Sequence, residues 1–195
     1  RSFELEEFPN RRIMVTSVRF ERTFYDNRPE IVDQDFFKKY HHTNLFLASV
    51  TYSKQKFLKT SYIYGIGRTE DIPYGNLVEL TTGFEDGEFA NRGYLGIRYG
   101  NGTFFENIGY LRSTVGSGGF VSNQFERGAF YWRMNYFSRL SDIGKFKIRQ
   151  FVIADNTVGI RALETDSISL NNEKGIRGLR SRQTWGTKRF SWKME

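Results

Sequence analysis

Few residues in this chain have the type and spacing that chemistry needs. His41 and His42 are adjacent, and strand neighbours point to opposite faces, so the pair makes a poor metal site; the chain has no cysteine to assist them. Glu70 and Asp71 lie in "GRTEDIPYG", Gly67 to Gly75, but nothing supplies a second acid at the separation that carboxylate hydrolysis requires. "GIGRTE" lacks the third glycine of a dinucleotide fingerprint and opens no helix. "GSGGF" lacks the Lys-Ser/Thr pair of a phosphate loop. Asn101-Gly102-Thr103 fits a glycosylation sequon and also fits a hairpin turn. The one arrangement that stands out is "NEKGIRGLRS", Asn172 to Ser181, where Arg177 lies between Gly175 and Gly178. It reads either as a solvated turn with a surface arginine or as an inward-directed loop. In the second case the glycines let the backbone approach a wall closely. A guanidinium held there requires an acid, because a buried unpaired charge is costly, and a bidentate carboxylate is its strongest partner. From these residues the expectation is no metal and no cofactor.

The elements that would position such a loop are strands. The chain has 195 residues, which predicts one domain over 1–195. Phe (19) and Tyr (11) are abundant and favour strands, while 19 Gly against 3 Pro suits tight turns better than disorder. About twelve alternating segments follow one another, separated by turn chemistry. "RIMVTSVRFERTFY" puts Met14, Val18, Phe20 and Phe24 on one face against Ser17, Arg19 and Glu21. "NLVELTTGFEDG" puts Val78, Leu80, Thr82 and Phe84 against Glu79 and Thr81. "RGAFYWRMNYFS" puts Phe130, Trp132, Met134 and Tyr136 against Tyr131, Arg133 and Asn135. Turns are expected at Ser53 to Gln55, at Gly100-Asn101-Gly102 and at Ser141 to Gly144. Pro73 is expected to stop or start a strand, and Gly75 to permit a turn. One helical turn is expected near Phe36. The prediction is an all-β antiparallel meander, either a barrel or a large curved sheet.

Alternation alone does not separate a soluble sandwich from a membrane barrel. Net charge is +7, but the cations are spread through the strands rather than clustered, which speaks against nucleic acid. Three features tilt towards a barrel. Several segments reach the ~9–11 residues of a transmembrane strand. Aromatics gather near strand ends, at Phe24 and Tyr25, Tyr62 and Tyr64, Phe104 and Phe105, Trp185 and Trp192, as in the girdles of outer-membrane barrels. The polar face carries full charges in mid-strand: Glu79, Arg98, Glu106, Arg133 and Arg149. The competing reading is a soluble β-sandwich carbohydrate-binding module with Trp132, Trp185 and Tyr131 as sugar platforms. A β-rich glycosidase is a third.

The stretch Gly175-Ile176-Arg177-Gly178-Leu179 resembles the Arg-Gly signature of the bacterial surface antigen family, the outer-membrane barrels of protein assembly and two-partner secretion. Leu179 stands where members more often have an aromatic. "GRTEDIPYG", with Glu70, Asp71, Pro73 and Gly75, resembles a stretch recurrent in Bacteroidetes-type members. The following "GTKRFSWKME" is similar to the family's glycine-containing strand that ends in an acid. The resemblance covers most of the chain from about Phe57. It implies a transmembrane β-barrel of sixteen strands, of which about twelve are present here in a fragment of a longer chain. It also implies a bacterial outer-membrane location, contact with outer-membrane lipid and with a client or passenger protein, and non-enzymatic protein insertion or translocation. Arg177 would fold into the lumen and meet an acid on the wall, with Glu79, Glu106 and Glu195 as open alternatives.

Overall fold

The computed structural model describes residues 2–6, 11–63, 68–162, 168–169 and 185–195. They form an all-β protein built on one nine-stranded antiparallel sheet. In chain order its elements are β1 (Ser2–Glu6), β2 (Arg11–Thr23), β3 (Thr43–Ser61), β4 (Thr69–Gly87), β5 (Asn91–Phe105), β6 (Gly109–Val121) and β7 (Phe125–Ser138). A small hairpin follows, β8 (Ser141–Ile143) with β9 (Phe146–Ile148). Then come β10 (Phe151–Ile160), the short pair β11 (Ile168–Ser169) and β12 (Trp185–Gly186), and β13 (Lys188–Met194). The large sheet runs β1-β2-β3-β4-β5-β6-β7-β10-β13, a meander in which each strand pairs with the next. Among the described residues its edge strands β1 and β13 do not pair with each other, so the sheet is open. A single 3-10 turn, Lys38–Tyr40, interrupts the β2–β3 connection.

Antiparallel pairing with little register slip makes the period-2 pattern of each strand add up across the whole sheet. The strands are long: 19 residues in β3 and β4, 15 in β5, against a usual length of about 5–6. Several expected turns are absent for this reason. Ser53 to Gln55 lies inside β3, where Lys54 pairs with Asn76. Gly100-Asn101-Gly102 lies inside β5, and the chain reverses further on, at Glu106 to Ile108. Pro73 neither starts nor stops β4 but pairs with Phe57 in its interior. Gly75 does not turn the chain either. It has φ +127, and a Cβ there would come 2.1 Å from the Lys54 carbonyl oxygen, so it kinks a continuous strand.

Beyond that kink the β3–β4 hairpin leans over one end of the sheet. Ile72, Tyr110 and Phe137 form the buried apolar cluster, with Ile63, Tyr74 and Phe151 packed against it. The Tyr110 hydroxyl donates to the Pro73 carbonyl at 2.7 Å, and the Tyr110 and Phe137 rings stack at 4.9 Å. Arg149, in the link after β9 rather than within a strand, donates to the Ser61 carbonyl at 2.9 Å.

Candidate functional site

The two faces of the large sheet differ in chemistry, and the apolar one is turned outward. Val18, Phe20, Phe46, Val50, Leu80, Phe84, Leu95, Ile97, Phe190 and Trp192 all lie on it and all are exposed, Val18 at 85% and Leu95 at 62%. A buried core is correspondingly small, and among the described residues no large side chain is fully buried. The accessible area of 13891 Å² is roughly 45% above the ~9,600 Å² expected of a compact 22.9 kDa protein.

The edges of this apolar face are marked by polar residues in register. On one side Arg12 pairs with Lys54, Lys54 with Asn76, and Asn76 with Asn101. On the other Arg22 pairs with Asn44, Asn44 with Asp86, and Asp86 with Asn91. Between the two rows lie only Met, Val, Phe, Ala, Tyr, Leu, Ile, Thr and Gly on this face of β2 to β5. Aromatics lie just inside the polar rows: Phe20, Phe46 and Phe84 at one edge, Tyr52 and Tyr99 at the other. Phe20 and Phe46 are in ring contact at 4.7 Å. From β6 onward the belt moves along the strands. Tyr52, the last apolar outward residue of β3, shares a register row with Phe190, the first of β13.

The opposite face is polar and ion-paired. Glu79 accepts from Arg98 at 2.6 Å and from the Thr51 hydroxyl at 2.8 Å. Asp155 is shared by Arg189 at 2.6 Å and Arg133 at 3.0 Å. Glu85, buried, has Arg92 at 3.7 Å and Arg127 at 4.0 Å. These pairs arise because directly opposed strand residues share a face: Glu79 opposes Arg98, and Asp155 opposes Arg133. Gly96, Gly116 and Gly118 also belong to this face, and Tyr94 and Tyr131 lie over them; a Cβ on Gly116 would come 2.5 Å from the Tyr131 ring.

This polar face is the concave one. Glu21 of β2 and Arg127 of β7 line a single cavity of about 310 Å³, although five strand spacings of ~4.8 Å would set these strands about 24 Å apart on a flat sheet. The β2–β3 connection roofs that end. Arg28 grips Glu88 with two hydrogen bonds, 2.5 and 2.6 Å, and also donates to the Tyr40 carbonyl at 3.1 Å. Glu88 accepts a third bond from the His42 amide at 3.1 Å. The Arg28 hydrogen bonds, helped by that amide, hold the Glu88 carboxyl at a pKa of about 2. His42 stacks on Phe24 at 4.4 Å and accepts from the Tyr25 amide at 3.3 Å, and His41 bonds the Phe36 carbonyl at 3.1 Å. The two histidines therefore fasten the loop. Among the described residues no cluster of three or more potential metal ligands occurs.

The residues singled out from the sequence are dispersed. Gly175, Ile176, Arg177, Gly178 and Leu179 lie outside the described residues, as does Tyr64. Glu79 is on the polar wall, already paired with Arg98. Glu106 is not on the wall but exposed in the β5–β6 turn. Glu195 extends the β10–β13 pairing through backbone bonds with Phe151 and forms an ion pair with Lys193. Glu70, Asp71, Pro73 and Gly75 form part of the leaning hairpin. Trp132 donates to the Ser113 hydroxyl at 2.9 Å and meets Trp192 edge-on at 6.2 Å, on the apolar face. Tyr131 is on the polar face, so the two lie on opposite faces of the sheet. Glu85, Asp155 and Glu88 were missed. For Asp155 the signal was its place opposite Arg133, which needs the register and not the sequence alone. Comparison with known proteins finds no matching family model, no similar curated protein and no similar solved structure.

Proposed function

We propose that this chain is the wall of a bacterial outer-membrane β-barrel, and that it acts without catalysis in inserting proteins into the outer membrane or moving them across it. The observation that carries the membrane reading is the sidedness of the sheet: an exposed apolar belt, unbroken across β2 to β5 and interrupted on β10 by the buried Asn156, backed by a concave, ion-paired polar face. A soluble sandwich would bury that belt against a second layer, whereas a membrane barrel presents it to lipid and keeps its polar face for the lumen. The belt has suitable dimensions. Ten residues separate Asn44 from Lys54 and Asn76 from Asp86. At ~3.3 Å per residue and a tilt of ~40°, each span is about 25 Å high, the height of the apolar band in such barrels. The drift of the belt also fits. Its first apolar outward residue moves from Phe46 on β3 to Phe190 on β13, about six residues over six strand steps. At ~3.3 Å per residue and ~4.8 Å per strand that is an inclination of about 35°, at the lower end of the ~35–45° of transmembrane barrels.

The step from barrel to protein insertion or translocation rests on the Arg-Gly and "EDIPYG" resemblances to the surface antigen family. In this reading Arg177 reaches into the lumen and pairs with a wall acid, strands outside the sheet described here complete sixteen, and the client is a protein. Glu79 already holds Arg98, and a second guanidinium would share its carboxylate as Arg133 and Arg189 share Asp155.

The test is to fractionate membranes from cells producing the protein and to compare heated with unheated samples on gels. Outer-membrane recovery with a heat-dependent mobility shift is the expected result. Recovery in the soluble fraction, with refolding that needs no detergent, overturns the membrane reading. Arg177→Ala is expected to weaken protease protection of its loop and lower client assembly or transport; unchanged protection and activity defeat the assignment of that arginine.

A further inference from the structure

We infer that the cavity between the β2–β3 loop and the concave face is a binding site for a small hydroxylated carboxylate, a sugar acid. The inference stands on the cavity itself and does not depend on the membrane reading. The volume, about 310 Å³, is of the size that takes a small organic ligand. Glu85 forms its floor and is only 6% exposed. Its carboxylate has no donor within hydrogen-bonding distance among the described residues, since the Arg92 and Arg127 guanidinium nitrogens stop at 3.7 and 4.0 Å. A buried carboxylate with open lone pairs favours a ligand that brings donors, and hydroxyl groups are such donors.

The roof carries the opposite charge, and the sides add one charge of each sign, Glu21 and Arg127. Lys38 and Lys39 line the cavity from the 3-10 turn. Lys38 uses one of its three donors on Asp35, at 2.8 Å, and is otherwise available to an anion. The ligand must therefore combine donors for the floor with an anionic group for the roof. Tyr25 and His41 line the space between the two, aromatic rings of the kind on which the apolar side of a pyranose rests, and Phe120 lines it under the Arg127 guanidinium. Neither an inorganic anion nor a neutral sugar satisfies both ends. The Arg28–Glu88 fork holds the roof over the floor, so the site is already formed.

The test is titration calorimetry on the full chain in detergent, with galacturonate as the probe and galactose and inorganic phosphate as comparisons. Galacturonate is expected to bind at least tenfold more tightly than either. Glu85→Gln is expected to weaken galacturonate at least tenfold, and the double variant Lys38→Met, Lys39→Met to bring galacturonate down to the level of galactose. Phosphate binding as tightly as galacturonate would reduce the site to an anion trap and overturn the role of Glu85. Galactose binding equally well would overturn the role of the lysines. No saturable binding of any probe, or binding indifferent to these variants, overturns the site. Circular dichroism and thermal unfolding check folding, whichever way the membrane reading falls. If Glu85→Gln does not fold, the lysine variant, altered only in the roof, decides.

Discussion

Leu80 lies in mid-belt on the apolar face, between the polar rows at Asn76 and Asp86, and it is 54% exposed. Substituting it with arginine separates the membrane reading from its rivals. On a soluble protein, a half-exposed side chain without a polar partner is usually worth within about 0.5 kcal/mol when replaced. On a lipid-facing strand the same change costs about 2–4 kcal/mol at the bilayer midplane and about 0–1 kcal/mol near the interface. Leu80 is close to the middle of the ten-residue span, so Leu80→Arg should fall in the upper range and Asn76→Arg, on the boundary row, in the lower. The difference corresponds to roughly thirtyfold to nearly a thousandfold in the folding equilibrium for the central site, at 1.4 kcal/mol per factor of ten. Guanidinium unfolding and refolding in lipid vesicles, followed by tryptophan fluorescence, measures both variants against the parent. Equal free energies for the two positions would refute the membrane placement of this face, because only a lipid phase makes the cost depend on depth.

Other outcomes follow from the same geometry. Glu88 has a pKa depressed to about 2 by Arg28 and the His42 amide, so its contribution to loop docking is complete above the ordinary value of about 4.5 and is lost as pH falls towards 2. Hydrogen-exchange protection over residues 24–42, taken relative to intrinsic rates at each pH, should hold at pH 5 and fall between pH 4 and 2, and Arg28→Lys, which loses the bidentate fork, should expose the loop to protease already at pH 7. Gly75→Ala forces a side chain into φ +127 and against the Lys54 carbonyl; we expect a loss of about 1–3 kcal/mol with faster proteolysis between residues 57 and 74, and a wild-type profile would show that the kink is not needed. Asp155→Asn removes the charge shared by Arg133 and the buried Arg189, and should cost about 2–3 kcal/mol in the same unfolding assay, most of it retained in a background carrying Arg133→Met, because the buried Arg189 still needs that carboxylate.

The two-faced strands were legible because period-2 alternation survives wherever one face meets a different medium, and Val78, Leu80 and Phe84 against Glu79 illustrate it. The turns were less so. Gly100-Asn101-Gly102 has hairpin composition, but its glycines answer a packing demand: a Cβ at Gly102 would come 2.8 Å from the Tyr110 hydroxyl. Ser53 to Gln55 looked like a turn because it is polar, and it is polar because Lys54 falls on the belt's boundary row. The cavity was not legible at all. Its floor comes from β4, its walls from β2 and β3 on one side and β6 and β7 on the other, and its roof from the β2–β3 loop, and only the curl of the sheet brings them together.

The tyrosines lying over Gly96, Gly116 and Gly118 have a mechanical meaning. When a sheet bends around its polar face, side chains on the inside crowd while those outside spread. Removing side chains from adjoining positions on β5 and β6 clears the inside of the bend, and laying Tyr94 and Tyr131 flat refills it with rings only one layer deep. The tightest curvature of the wall is thereby assigned to β5 and β6. A bulky residue at Gly116 or Gly118 would act as a wedge, opening the arc and moving β2 and β7 apart, and with them the two sides of the cavity that they share.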